Sequence, residues 1–280
     1  MGVRTGRAAV SPLRDDDPLH DARSRPAADR LVVSVVSGWG APSPVALSSG
    51  VVCEHFVARS EEPFRIDELW GFTERLERFG IAGFGWGAAW QTADGRLETY
   101  RDVRAFRDDP ARERVGAHRT RSLLVHLRRP SRLSTLGEPD TQPFPDPAGR
   151  FVFSHNGDLA AHKPWRERYR AEGRIHGKAD SEVGQRWLED AWSPSKPAGE
   201  LLCSLHEVFG GLANFALLQA DGALTSYAGN RENPVFTFRL GAIRLVSTGL
   251  YSLDRSLFRF AAPAATERHL VPLTTTVVLD

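Results

Sequence analysis

Cysteine is almost missing from this sequence: Cys53 and Cys203 are the two present. Two thiols cannot make a disulfide framework. With no Cys-x-x-Cys pair or Cys/His cluster beside them, no zinc site is expected. Cys203 lies in Glu200-Leu201-Leu202-Cys203-Ser204-Leu205-His206, an amphipathic helical pattern, and reads as a buried apolar side chain. Lysine is nearly absent as well, at 163, 178 and 196 only, and the remaining basic residues are arginines. That bias fits GC-rich, bacterial coding. Charge of one sign is lacking: the formal net charge is +1, so no general attraction to nucleic acid or acidic membranes is implied. No apolar run approaches the ~18 residues of a membrane span. A soluble, cytoplasmic protein is expected. No metal motif, nucleotide-binding loop or flavin motif is present, and no cofactor is expected.

What is there is ordinary for a globular protein: 41% hydrophobic and 25% charged residues, enough to bury one large core or two small ones. Residues 1–52 differ from the rest. They hold Pro12, Pro18, Pro26, Pro42 and Pro44, the run Asp15-Asp16-Asp17, and a single apolar stretch from Leu31 to Val36. A secretory signal fits poorly, because the apolar stretch is short and follows a long, partly acidic segment. A lipoprotein signal ending at Cys53 would want a small residue where Val52 stands. Residues 1–52 are therefore expected to be an unstructured extension. They are either a propeptide removed before Cys53 or the product of an upstream start, with a GTG codon at Val52 (or Val51) as the natural one.

From Cys53 the chain is well patterned. A strand is expected over Cys53 to Arg59, and a helix over Asp67 to Phe79, with apolar residues at 69, 72, 76 and 79 and a stop at Gly80. Phe84 to Trp90 and Arg96 to Val103 read as a hairpin turning at Asp94-Gly95. Ser122 to Leu127 reads as a buried strand and 130–149 as a Pro-rich loop. Phe151 to Ser154 reads as a strand ending at an Asn156-Gly157 turn. Helices follow at Ser181 to Trp192 and Gly199 to Phe209. Strands then run over Ala213 to Gln219, Ala223 to Tyr227, Val235 to Leu240, Ile243 to Thr248 and Val271 to Leu279. Strands, two helices, then strands is the order of an α+β fold built on antiparallel sheets.

Five short motifs carry chemistry: Val52-Cys53-Glu54-His55-Phe56, His126-Leu127-Arg128-Arg129, Asp140-Thr141-Gln142-Pro143-Phe144, His155-Asn156-Gly157 and Asp180-Ser181-Glu182. In this order they resemble a class II glutamine amidotransferase domain of the N-terminal-nucleophile (Ntn) hydrolase superfamily, of the standalone bacterial type. The resemblance spans Cys53 to about Asp280. It implies a four-layer αββα sandwich of two antiparallel sheets. It also implies hydrolysis of a γ-glutamyl amide, such as glutamine to glutamate and ammonia, through a cysteinyl thioester.

A thiol attacks an amide only as a thiolate or with a base beside it, and no Cys-His-Asn signature surrounds Cys53. In the family the base is the α-amine of an N-terminal cysteine, with a pKa of about 7.7–8.0, near the optimum for proton transfer. Inside a peptide bond that nitrogen has no lone pair to offer. The resemblance further implies that Arg128 binds the substrate α-carboxylate and Asp180 its α-ammonium. Asn156 and Gly157 would form an oxyanion hole, with Ser131, Gln142 and Trp86 lining the pocket. Gln142 stands where relatives carry His, and Arg129-Pro130 departs from the family pair. Each position also has a plain reading: a half-buried strand cysteine, a surface arginine, an Asn-Gly turn, a helix N-cap at Asp180, and a tight strand crossing at Gly85-Trp86-Gly87. No residues remain for a synthase domain, so an ammonia acceptor would be a separate protein. Two alternatives stay open: hydrolysis of a larger γ-glutamyl amide, as in ergothioneine biosynthesis, and an inactive ligand-binding or interaction module if Cys53 is internal in the natural chain.

Overall fold

The structure, a computed structural model, describes residues 33–35, 53–250 and 256–280. The expectations for 1–32 and 36–52, the start at Val52 among them, lie outside the described residues; Val33–Val35, expected within an unstructured extension, instead form a short strand paired with Thr275–Val277.

Two antiparallel sheets form the centre. The seven-stranded sheet has the order β12-β10-β11-β2-β5-β3-β4 and the six-stranded sheet the order β1-β13-β9-β8-β7-β6. In chain order the strands are β1 (Val33–Val35), β2 (Glu54–Arg65), β3 (Trp86–Gln91), β4 (Leu97–Asp102), β5 (Arg119–Leu127), β6 (Phe144–Pro145) and β7 (Phe151–Leu159). They continue with β8 (Gly211–Gln219), β9 (Leu224–Ala228), β10 (Val235–Leu240), β11 (Ile243–Thr248), β12 (Thr266–Leu270) and β13 (Thr275–Leu279). The helices are α1 (Trp70–Gly80), α2 (Ala111–Gly116), α3 (His162–Ala171), α4 (Asp180–Ala191), α5 (Ala198–Phe209) and α6 (Leu257–Ala261).

Period-two alternation sorts the central strands' side chains into layers. Phe56 and Ala58 of β2, Leu123 and Val125 of β5, and Trp86 and Trp90 of β3 join Phe72 and Leu76 of α1 in one core. Phe151 and Phe153 of β7 and Phe215 and Leu217 of β8 pack with Val183 and Leu188 of α4 and Leu201 and Leu205 of α5 in a second. The alternate residues Val57, Ala89, Leu124, Val152, Ala216 and Leu218 meet between the sheets in a third. Helix, sheet, sheet, helix is the αββα order. Strands covered on both faces read as nearly unbroken apolar runs, as Leu123 to Val125 and Phe215 to Leu218 do.

Three departures from the sequence reading have physical causes. Strand β7 does not stop before Asn156-Gly157. It continues to Leu159, with Asn156 paired opposite Asn214 and Gly157 opposite Ala213. Ladder bonds to β8 override the local turn preference. The expected final strand over 271–279 is strand only from Thr275, as β13 paired with β9, and the unexpected β12 over Thr266–Leu270 precedes it, paired with β10 in the other sheet. The chain crosses between sheets at 271–274, where Thr274 takes a left-handed φ of 57°. Helix α1 includes Gly80, and the left-handed cap falls on Ile81 (φ 56°).

Candidate active site

At one end of the inter-sheet layer the apolar core gives way to polar groups. His55 on β2, His126 on β5, Ser154 and Asn156 on β7 and Asn214 on β8 are all buried. Ser154 Oγ lies 3.0 Å from His55 Nδ1 and 2.9 Å from His126 Nδ1. One hydroxyl carries one proton, so it can donate to at most one of the two imidazoles, and at least one ring carries its proton on Nδ1 and donates to Ser154 Oγ. Burial, reinforced by His155, lowers the His55 pKa to about 3, and burial holds His126 well below the ordinary range. Both rings are neutral at physiological pH.

Cys53 sits beside this cluster, immediately before β2. Its Sγ accepts from the Arg129 backbone N–H at 3.3 Å and lies 3.6 Å from the Arg129 carbonyl oxygen. Burial pushes the thiol pKa up; the Arg128 charge and the Arg129 N–H act in the opposite direction without reversing it. Among the described residues no imidazole or carboxylate is hydrogen-bonded to the sulfur. The carbonyl oxygen of Cys53 accepts from Asn156 Nδ2, and Asn233 Nδ2 lies 3.5 Å from it.

A cavity of about 480 Å³ opens over Cys53 and is lined also by Arg128, Ser131, Gln142, Gly157 and Asp180. Asn156 is fully buried behind it. Gly157 has a φ of 127°, and a Cβ there would stand 1.8 Å from the Leu212 carbonyl oxygen. Glycine is required because β8 passes so close, and the resulting backbone twist departs from regular strand geometry.

Arg128 is 3% exposed. It donates to the carbonyl oxygens of Asp140 and Thr135 and, at 2.9 Å, to Thr135 Oγ1, while its Nε has no partner among the described residues. These bonds tie the 130–141 loop to the end of β5. Gln142 Nε2 donates to the His155 carbonyl at 3.0 Å and to Ser181 Oγ at 3.2 Å, and Gln142 Oε1 accepts the His155 N–H at 2.6 Å. Both ends of this amide are engaged by protein. Asp180 is the first residue of α4 rather than its N-cap, which is Ala179. Its Oδ2 accepts the Leu159 N–H at 2.7 Å and its Oδ1 the Ser181 N–H at 2.9 Å, so it joins the start of α4 to the end of β7.

Trp86 is not with the others. Its place on β3 turns it to the helix-covered face, where it is fully buried and donates to Asp109 Oδ2 at 3.0 Å. The adjacent Gly87 accounts for the glycine pair: a Cβ there would lie 2.4 Å from the Gln142 carbonyl oxygen.

Sequence reading missed the asparagines behind the sulfur. Asn214 interrupts the apolar run of β8, and Asn230 and Asn233 fall between β9 and β10. All three are buried. A lone Asn inside an apolar strand was the available signal. It also missed the charged lining, in which Arg129, Arg132, Lys163 and Lys178 join Asp158 and Glu232 around the cavity. No group of three or more His, Cys, Asp or Glu able to hold a metal ion occurs among the described residues. No helix among them is long and apolar enough to cross a membrane.

Comparison with known proteins fits this architecture. Residues 56–239 match the sequence profile of the family Glutamine amidotransferases class-II. No curated protein sequence matches the chain significantly. Among solved structures, the glutamine phosphoribosylpyrophosphate (PRPP) amidotransferase from B. subtilis, complexed with ADP and GMP, is similar with a TM-score of 0.64 at 14% identity. A structure described as the allosteric regulatory enzyme of purine biosynthesis has a TM-score of 0.63 at 13% identity. Each covers 81% of this chain and 47% of its own, so the chain spans about half the length of these two relatives. A glutamine aminotransferase class-II domain protein from Silicibacter pomeroyi has a TM-score of 0.52 at 18% identity, covering 81% of this chain and 94% of its own. At these identities the structural likeness establishes the fold, that of the Ntn hydrolases, and the profile match over most of the chain establishes the family: this chain belongs to the class-II glutamine amidotransferases.

Proposed function

We propose that the protein hydrolyses a γ-glutamyl amide, with glutamine as the simplest substrate, through a thioester on Cys53. The observation that carries this reading is the convergence of Cys53, Arg128, Gly157 and Asp180, from four separate segments, on one cavity. In the proposed reaction the sulfur attacks the γ-carbonyl carbon. The α-amine of Cys53 takes the thiol proton and passes it to the departing amine. A C–S bond forms and the C–N bond breaks. Water then attacks the thioester, the C–S bond breaks and glutamate leaves. The tetrahedral oxyanion is met by the Asn156 side chain and the Gly157 N–H, donors whose loss costs roughly 3–4 kcal/mol each in other enzymes. Arg128 takes the α-carboxylate and Asp180 the α-ammonium. Ser131 and Gln142 shape the wall.

The raised thiol pKa supports a need for a base, and the α-amine can serve only when Cys53 is the first residue. We therefore place maturation before Cys53, either by translation from Val52 with methionine removal or by cleavage of 1–52.

The size of the cavity favours a second reading, a larger leaving amine. Glutamine has about ten non-hydrogen atoms; even at the roughly 30 Å³ of a water molecule apiece they leave part of the 480 Å³ unfilled.

The test is to produce the chain from Val52 and from Met1, determine both masses, and assay glutamate release. Release by a form beginning at Cys53, and none by a form retaining Met1, is expected. Full activity with Met1 intact removes the mechanism, because a base other than the Cys53 α-amine is then at work, and no release by either form leaves the binding-module reading. Assaying glutamine beside γ-glutamyl amides of bulkier amines separates the two substrate readings.

A further inference from the structure

Asn214 stands directly opposite Asn156 on the paired strand β8. Its side chain is completely buried, and its hydrogen-bonding capacity is filled. Oδ1 accepts two main-chain N–H groups, from Gly229 at 3.1 Å and Asn230 at 3.0 Å. Nδ2 donates to the Asn233 carbonyl at 2.8 Å and to Asn156 Oδ1 at 3.1 Å.

The orientation of this amide is forced. Main-chain N–H groups only donate, and a carbonyl only accepts. Flipping Asn214 would set its NH2 against two donors and its oxygen against the Asn233 carbonyl. The Asn214 NH2 therefore faces Asn156, and Asn156 must present its oxygen to it. The NH2 of Asn156 is left on the side of Cys53, where one of its hydrogens meets the Cys53 carbonyl.

We infer that Asn214 is a positioning residue for the reaction: it fixes which end of the Asn156 amide faces Cys53, and so keeps a donor where negative charge develops. This rests on the proposed role of Asn156 in meeting the oxyanion. A donor aimed before reaction avoids reorganisation when charge appears. An Asn156 free to flip would offer an oxygen lone pair to the oxyanion for part of the time.

Asn214→Asp tests this. The carboxylate keeps acceptors for the Gly229 and Asn230 N–H groups but removes the donor to Asn156. Asn214→Ser, smaller and uncharged, removes the same donor and is read alongside. In whichever variant folds, by melting curve, kcat for γ-glutamyl amide hydrolysis is expected to fall roughly 10²–10³-fold. KM is expected within about threefold of the parent, and the rate of Cys53 alkylation by iodoacetamide unchanged, since that displacement builds no oxyanion. Unchanged kcat overturns the inference. A parallel fall in kcat, alkylation rate and substrate affinity also overturns it, because that pattern marks general distortion. The Asn156 side-chain amide signals in a nitrogen-15 NMR spectrum supply a readout independent of turnover. They are expected to shift and exchange faster in the variant, and unaltered signals count against the inference. If the parent hydrolyses no γ-glutamyl amide, the proposed function fails on that result, and the NMR readout alone decides the positioning.

Discussion

The main-chain N–H of Arg129 points at the sulfur of Cys53 across 3.3 Å. It joins the chain just before β2 to the segment leaving β5, beyond the last register pair of those strands, Glu54 with Leu127. The neighbouring Arg128 turns its guanidinium to the loop carbonyls. Consecutive residues thus do different work: one donates to the sulfur through its backbone, and the other anchors a wall of the cavity through its side chain.

Arg128 has two consequences when changed. Arg128→Ala should raise KM for a γ-glutamyl amide about 10–100-fold, the worth of a charged hydrogen-bonded pair, and should also loosen the 130–141 loop. Arg128→Lys keeps the charge but lacks the planar fork that reaches the carbonyls of both Thr135 and Asp140, so it should recover only part of the affinity. Michaelis kinetics combined with limited proteolysis of the loop checks both; a lysine variant equal to the parent would refute the need for the fork.

Gly157→Ala should destabilise the protein by roughly 3 kcal/mol or more, because the new methyl meets the Leu212 carbonyl and the φ is one that L-residues avoid. Urea unfolding measures this. A variant as stable as the parent would mean that β7 and β8 separate more readily than their pairing suggests.

Acid should weaken the fold through the buried histidines. Their folded-state pKa values are lowered, His55 to about 3. The unfolded chain takes up protons below about pH 6.5 while the native state does not. Stability is therefore fully present above that pH. It is lost as pH falls toward 3, at about 1.4 kcal/mol per pH unit for each histidine kept neutral. Urea midpoints between pH 7.5 and 4.5 should show the decline, and His55→Gln should flatten it. An identical slope in that variant would assign the acid sensitivity elsewhere.

Trp86→Phe should cost about 1–3 kcal/mol of stability and leave KM within about twofold, since the indole packs against Trp70 and Phe106 away from the cavity. A raised KM with unchanged stability would return this residue to the substrate.

Legibility in the sequence followed how local the determinants were. Strands β10 and β11 were read to the residue, because alternation and the Gly241-Ala242 turn are local signals. Helix α3 was not read at all. It buries only Tyr169 fully and carries five charged residues among ten, so it shows little apolar stripe. Asn156-Gly157 looked like a turn because that dipeptide favours one, and only the distant β8 makes it strand. The motif residues near Cys53 were legible as types in an order. The Asn214 contact was not, since it depends on cross-strand register, which one sequence does not display.

The cavity has two walls of unequal standing. Gly157 belongs to a ladder bonded strand to strand, whereas the lining from Arg129 to Thr135 belongs to no sheet, has one short 3-10 turn at Leu133–Thr135 and is tied to Arg128 by side-chain bonds. The first half tolerates little revision, whereas the second can be rewritten residue by residue without disturbing a sheet. A change confined to residues 131–134, which spares the Thr135 and Asp140 groups bonded to Arg128, therefore alters one wall of the cavity while leaving the sheet and the arginine's anchors in place.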